Sequence, residues 1–355
     1  MTIKSVKYDI GRKVLSIGPN YKRPKGGIAQ LLYVYSKYFD TFNFIATVNG
    51  GSKISKVCTL IKAYLIFLYY MLFKGIRIVH VHGASYNSMK RKRLFISTAK
   101  FFSKKVVYHV HGGALKEWDK TNHEFINCTF SKCDVVIALT NDWKDFITST
   151  YHCKCVVVEN IVDNPQQKVI THKVDNHTTF LYLGLISPLK GIYDLIDVIV
   201  SNHSQFDGVA KFVIGGNGET EKLLSLVKCH HIEDVVEFVG WVSGKEKEEL
   251  LNNCDVFILP SYVEGQPISI LEALSYGKPI VSTPVGGIPD IVKHGYNGLL
   301  FTPGNKTELA KCFNTVMRMS AAERKQWGNH SLEIIAPHLP SSVIAKINHI
   351  YNELL

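Results

Sequence analysis

The sequence predicts an α/β protein of two Rossmann-like halves. Short apolar runs alternate with helix-length segments along the chain, the pattern of βα units wound around parallel sheets. The runs form two series of six with a polar stretch between them. The 355 residues, 46% hydrophobic and 20% charged, are enough for two cores.

In the first half, strands are expected at 13–17, 44–48, 76–81, 105–110, 135–139 and 156–158. In the second they are expected at 179–183, 211–214, 235–238, 256–259, 279–282 and 298–301. The stretch Asp163-Asn-Pro-Gln-Gln-Lys168, continuing to His177, has no apolar periodicity and reads as the linker. The expected domains are therefore 1–165 and 166–339, followed by a terminal helix at 340–355.

Charge separates the halves further. Residues 1–105 carry 20 Lys and Arg against only Asp9 and Asp40, or +18, while the whole chain is +11, so the remainder sums to −7. Such a field suits an anionic partner of the first half: a membrane surface, a nucleic acid or an acidic acceptor. A merely solvated basic surface is the plain alternative. The eight cysteines form no C-x-x-C pair and no secretory leader pattern precedes them, so free thiols in a reducing cytoplasm are expected. His152, Cys153 and Cys155 lack the spacing of a zinc site.

Val57–Phe73 is the most apolar stretch, but it is 17 residues long and contains Lys62, which argues against a spanning helix. Its apolar residues surround the helix, so both faces need cover, either from the sheet or from partial membrane insertion. The next helix, capped by Asn87 or Ser88, places Lys90, Arg91, Lys92 and Arg93 in its first two turns, where cations oppose the helix dipole. Anionic headgroups would reverse that sign, with Phe95, Phe101 and Phe102 as apolar contacts. A solvated charge run is the alternative.

The glycine-rich turns are candidate phosphate loops. Pro24-Lys-Gly26-Gly27-Ile28 follows the first strand and leads into a helix, and Gly215-Gly216-Asn-Gly-Glu219 follows the strand at 211–214. The strand ends His80-Val-His82-Gly and His109-Val-His111-Gly-Gly place His82 and His111 at ligand level, beyond the carboxyl ends of the strands. Four histidines without a carboxylate or thiol pattern do not define a metal site. Pro260-Ser-Tyr-Val-Glu264-Gly-Gln266-Pro267-Ile268-Ser269-Ile-Leu-Glu272 follows a strand, and Pro267 is placed like the first residue of a helix that stops at Gly277. Glu264 would then hang above the helix and Glu272 lie in its second turn. Both can accept hydroxyl hydrogen bonds, while the N–H groups of Gln266, Ile268 and Ser269 face a diphosphate.

Glu264 and Glu272, seven residues apart within EGQPISILEAL, resemble the E-x7-E motif of glycosyltransferase family 4, retaining enzymes of the GT-B fold, in which two Rossmann-like domains face a central cleft. Further segments follow in family order: Gly26-Gly27, His111-Gly-Gly, the run Leu183-Gly-Leu-Ile-Ser-Pro-Leu-Lys-Gly191, Gly215-Gly-Asn-Gly218, Gly240-Trp241, Gly277-Lys-Pro and Val285-Gly-Gly-Ile-Pro-Asp290. The resemblance implies that Glu264 holds donor-sugar hydroxyls, Glu272 the ribose and Lys190 the diphosphate. It implies too that Gly27 approaches the phosphate and His111 the sugar near the reacting centre. The terminal helix is implied to return to the first domain. One departure is Leu185, where the family has an arginine in G-R-L-x-x-x-K-G.

The expected activity is therefore transfer from a nucleotide-diphosphate sugar to a saccharide or lipid-linked acceptor, as in surface polysaccharide assembly, with no cofactor, metal or nucleic acid. The enzyme would work in the cytoplasm, peripherally on the membrane. Two alternatives stay open: a nucleotide-sugar epimerase, and a non-catalytic membrane or nucleic-acid binding module with a degenerate donor site.

Overall fold

The computed structural model describes residues 9–22, 26–48, 52–165 and 177–355. Most of the expected linker, 166–176, thus lies outside the described residues. The chain divides into two compact units, Met1–Asp163 together with Pro337–Leu355, and Asn164–Ala336.

The first unit runs β1 (Val14–Pro19), α1 (Gly27–Tyr38), β2 (Phe44–Val48), α2 (Lys53–Phe73), β3 (Ile78–Gly83), α3 (Asn87–Phe101), β4 (Lys105–Val110), α4 (Leu115–Phe130), β5 (Val135–Ala138), α5 (Asn141–Tyr151) and β6 (Cys155–Val157). The six strands are parallel in the order β2-β1-β3-β4-β5-β6. Strands such as Val135–Ala138 are buried throughout, which is why they read as unbroken apolar runs. The strand order reverses between β1 and β3, so the crevice beyond those two strand ends is where a ligand has room.

In the second unit, β7 (Thr178–Leu183), α6 (Ile192–Ser201), α7 (His203–Phe206), β8 (Ala210–Gly215), α8 (Thr220–Cys229), β9 (Val236–Gly240), α9 (Gly244–Asn253), β10 (Val256–Leu259), α10 (Ile268–Ser275), β11 (Ile280–Ser282), α11 (Ile288–Ile291), β12 (Gly298–Leu300), α12 (Lys306–Arg318) and α13 (Ala321–Ile334) follow in turn. Its parallel sheet has the order β12-β11-β10-β7-β8-β9, which reverses between β7 and β10. Phe180, Phe206, Phe212 and Phe313 pack together on one face, Phe180 and Phe212 stacking at 5.0 Å.

The last helix, α14 (Pro340–Leu354), belongs to the first unit. Its buried face of Val343, Ile344, Ile347, Ile350 and Tyr351 packs toward α1, and the Tyr351 hydroxyl lies 2.6 Å from His80 Nδ1. Lys346 to Glu159 at 2.6 Å and Lys154 to Glu353 at 3.0 Å secure its rim.

Three local expectations need correction. Helix α3 begins at Asn87 after Tyr86, which sits at φ 57, so neither Asn87 nor Ser88 is the cap. The basic run Lys90–Arg93 is not a uniform surface. Met89, Lys92, Phe95, Ile96 and Ala99 form the inward stripe of α3, and Lys92 is carried inside with them, 2% exposed, its Nζ donating to Ser88 Oγ at 2.8 Å. Phe95 is buried too, and Arg93 lies over the Phe125 ring at 4.6 Å. Finally, the apolar α2 is covered on one face only: Ala63, Phe67 and Met71 enter the core, while the opposite face is exposed.

Candidate active site

In the second unit, the site is built where β7 and β10 part. β7 leads into a 3-10 turn, Pro188–Lys190, and β10 into the loop that ends at α10. Gly191 sits at φ +67, and a Cβ there would run into the Pro260 carbonyl, so only glycine lets the Lys190 turn lie against the end of β10. The Tyr262 N–H donates to Leu189 O at 3.0 Å and joins the two loops. This brings Lys190 Nζ to 2.5 Å from Glu264 Oε1, although 74 residues separate them. The Ser261 hydroxyl donates to the same Oε1 at 2.7 Å. From the other side Gly286, at φ +56, lies so close to the Glu264 carbonyl that a Cβ would not fit, and the Gly287 N–H donates to Gly265 O.

Helix α10 starts at Ile268 with Pro267 as its N-cap, φ −72 and ψ 120, and not as the first helical residue expected from the sequence. The extended ψ turns the chain into the helix one residue later. Helix geometry leaves the first-turn N–H groups of Ile268, Ser269 and Ile270 without intrahelical acceptors, and neither a side-chain cap nor an acid occupies that turn. Ile268 and Ser269 are half-exposed, and Gln266 is buried beside them. This helix end follows β10 and Lys190 follows the neighbouring strand β7, and each is a group that suits an anion.

Glu272, one turn further along α10, pairs with Lys247 of α9: Nζ to Oε1 is 2.6 Å. Sequence reasoning missed Lys247 because it is embedded in the polar run Gly244-Lys-Glu-Lys-Glu-Glu. A signal was there, since Lys247 shares the 3-4 spacing of Leu250 and Leu251, the inward side of its helix. Tyr182 was also missed. Burial, and next the Glu264 charge, push its phenol well above the ordinary range, so it stays a neutral hydroxyl, donating to Leu185 O at 2.8 Å. Leu185 itself is 48% exposed. The Gly216 N–H is already donated to Gly240 O at 2.7 Å, and a Cβ there would strike Gly184 O, so Gly216 offers close approach and not a spare donor.

In the first unit, Gly26 is the N-cap of α1 at φ 132, and Gly27 is the first helical residue, both at the end where β1 and β3 part. The four histidines stack across β3 and β4. His80 and His109 rings are 3° from parallel at 5.5 Å, His82 and His111 16° from parallel at 5.4 Å, and His82 Nδ1 lies 3.1 Å from His111 Nε2. Nitrogens of His80, His82 and His109 lie within 4.8 Å of one another, the group among the described residues with metal-like proximity. Within this group the His80 and His109 rings are near-parallel, while His82 is tilted by 32° and 34° to them, and all three are buried. They suit a stack of neutral rings. Burial, then the charge of His111, hold His80 down to about 3. His111 keeps partial exposure, yet burial first and the Lys92 ammonium second push it down to about 3, with an Asn160 hydrogen bond opposing. A neutral imidazole at a strand end can give or take a hydrogen bond to a hydroxyl without bringing charge.

Residues 163–333 match the family of glycosyl transferases group 1. The uncharacterised glycosyltransferase MJ1069 of Methanocaldococcus jannaschii is 25% identical over 252 residues, 63% of this chain and 64% of that protein. The chain thus spans just under two thirds of that relative. MJ1178 of the same organism, also an uncharacterised glycosyltransferase, is 24% identical over 317 residues, 87% of this chain and 85% of that one. Among solved structures, Anabaena Alr3699/HepE in complex with UDP superposes with a TM-score of 0.77 at 18% identity, over 96% of this chain and 100% of that one. The fold is GT-B, and the matches support a glycosyltransferase.

Proposed function

We propose that this chain is a glycosyltransferase that takes a sugar from a nucleotide-diphosphate donor held at the β7–β10 crevice and passes it, with retention, to a saccharide or lipid-linked saccharide in surface polysaccharide or glycoconjugate synthesis. The observation that carries the reading is the Lys190–Glu264 contact beside the uncapped start of α10: a cation and a carboxylate at one topological switch point, with helix N–H groups beside them.

The chemistry follows from what each group can do. Breaking the bond from the sugar to the diphosphate leaves negative charge on the leaving group. Lys190 and the first-turn N–H groups of α10 are fixed donors for that charge, and such donors act most strongly where it develops in the transition state. Glu264, relieved of part of its pairing as Lys190 turns to phosphate, accepts hydrogen bonds from sugar hydroxyls. Glu272, held by Lys247, has a second oxygen for the ribose. Because cation and helix dipole already oppose the charge, the reaction needs no divalent metal in this reading. Within the first unit, the neutral His111 ring suits a hydroxyl group and the Gly26-Gly27 turn at the start of α1 suits a phosphate.

The epimerase alternative has no observation of its own in its favour, and consumption of a saccharide acceptor would dispose of it. The binding-module alternative rests on Leu185, and the Lys190–Glu264 contact speaks against it. A panel of nucleoside diphosphates and their sugars, read by thermal stabilisation, tests the donor site directly, because a ligand that binds only the folded protein raises its apparent stability by mass action. One base and one sugar should stabilise strongly, followed by release of the diphosphate when acceptor is added. If no nucleotide shifts the melting of the protein, the proposal fails.

A further inference from the structure

Helix α2 has two opposite apolar faces, and the unit uses one. Ala63, Phe67 and Met71 point into the core, and Phe67 and Tyr64 meet Phe95 of α3 edge-on at 5.2 and 5.6 Å. On the other side Ile54, Val57, Ile61, Leu65, Tyr69, Leu72 and Phe73 recur at intervals of one to four residues, and all are exposed, Leu65 at 63% and Phe73 at 70%. The stripe widens onto α3. Thr98 Oγ1 lies 2.9 Å from the Tyr64 hydroxyl, so this face of α3 turns toward α2, and Leu94 and Phe101, four before and three after Thr98, share it. Phe101 is 82% exposed. A contiguous apolar strip of this length is an interaction surface, since scattered exposed leucines need no explanation but a row does.

The surroundings of the strip say what covers it. Lys62 of α2 is exposed at its edge, Lys56 and Lys74 are exposed at the two ends of the helix, and Arg77 and Lys90 follow on the next segments. The sequence has no Asp or Glu between Asp40 and Glu117, so neither helix can offer a carboxylate to a partner. A second copy of the chain would bring like charges together over this face. An anionic partner with an apolar interior satisfies both the strip and its rim.

We propose that α2, with Leu94 and Phe101 of α3, lies flat in the interfacial layer of an anionic lipid bilayer. It lies on the membrane and does not cross it, because a crossing would pull Ala63, Phe67 and Met71 out of the core that they hold together. The Lys90–Arg93 run contributes through Lys90 at the rim, while Lys92 faces inward. This inference stands apart from the donor site and does not depend on it.

Sedimentation with vesicles of phosphatidylcholine, with and without phosphatidylglycerol, tests it on the full chain. Wild-type protein should bind the anionic vesicles at low salt, release as salt is raised, and bind neutral vesicles far less. The triple variant Lys56→Gln, Lys62→Gln, Lys74→Gln should weaken binding about fivefold per charge removed. The double variant Ile61→Asp, Leu65→Asp should abolish binding; both positions are exposed, so its circular dichroism and thermal melting should match wild type. Wild-type protein that stays in solution with anionic vesicles at low salt, or a double variant that still binds as wild type does, overturns the proposal. So does a wild-type dimer that Leu65→Asp dissociates, which would assign the face to a second copy.

Discussion

Lys247 Nζ lies 2.6 Å from Glu272 Oε1, so the carboxylate expected at the ribose is held by a lysine from a different helix. Both side chains are largely out of water, and a hydrogen bond to a charged group there contributes about 1.5–3 kcal/mol. Glu272→Gln should weaken nucleoside-diphosphate binding by roughly 10- to 150-fold. Lys247→Met should weaken it less, by letting Glu272 swing, and the double variant should be less impaired than the two effects multiplied. Titration calorimetry of the four proteins closes this cycle. Full additivity would mean that the pair is not coupled to the ligand.

Glu264→Gln removes the charge that faces Lys190 and keeps the shape of the side chain. It should lower kcat/KM by about 10- to 150-fold, the loss of one charge-assisted hydrogen bond. Steady-state kinetics on the donor selected by the thermal screen provides the check. Unchanged kinetics would remove Glu264 from the site.

Leu185 is 48% exposed, which leaves an arginine room to extend at that position. Leu185→Arg should therefore give equal or higher turnover, adding a second cation near the diphosphate without a clash. A strong loss of activity in a variant that melts like wild type would show that the leucine has a role of its own.

The histidine stack makes the first unit sensitive to acid. Burial, the largest cause at each ring, holds His80 and His111 near 3, and His82 and His109 well below the usual imidazole range. An unfolded chain binds protons from about pH 6.5 downward and the folded one does not. The histidine contribution is therefore fully present above pH 6.5 and falls as pH drops toward 3, by about 1.4 kcal/mol per pH unit for each histidine. Lys92, lowered to about 7 by burial and then by Arg91, adds a slope of the same sign between pH 7 and its unfolded value. Amide exchange in β3 and β4 at pH 6.5 and 5 reads this unit separately. His109→Gln should flatten the slope by one proton. An unchanged slope would mean that His109 takes up its proton as readily in the folded chain as in the unfolded one.

The fold was legible because each of the twelve strands is a short apolar run between turn residues, and the structure moves their ends by two residues at most. Glu264 and Glu272 were legible as candidates from their places before and within the helix that follows β10, and Lys190 through the family resemblance alone. What stayed hidden depends on helix faces. Lys92 reads as one more cation in a basic run, and only the inward stripe Met89-Lys92-Phe95-Ile96-Ala99 shows that it is buried. Helix α2 is apolar all round, so its sequence cannot tell the face on the sheet from the face in solvent. Lys247 meets Glu272 across 25 residues of chain, a contact that local pattern does not encode.

In the proposed reaction, Lys190 and the start of α10 neutralise the leaving diphosphate without a metal. The most direct test is the rate of nucleoside-diphosphate release from the selected donor by wild type and Lys190→Ala, each with and without a chelator. A fixed donor aimed at developing charge is worth about 10²–10³ in rate, so Lys190→Ala should lose at least that much, and the chelator should leave wild type unchanged. Strong chelator inhibition of wild type together with a mild effect of Lys190→Ala would contradict the account, because a metal would then be holding the diphosphate.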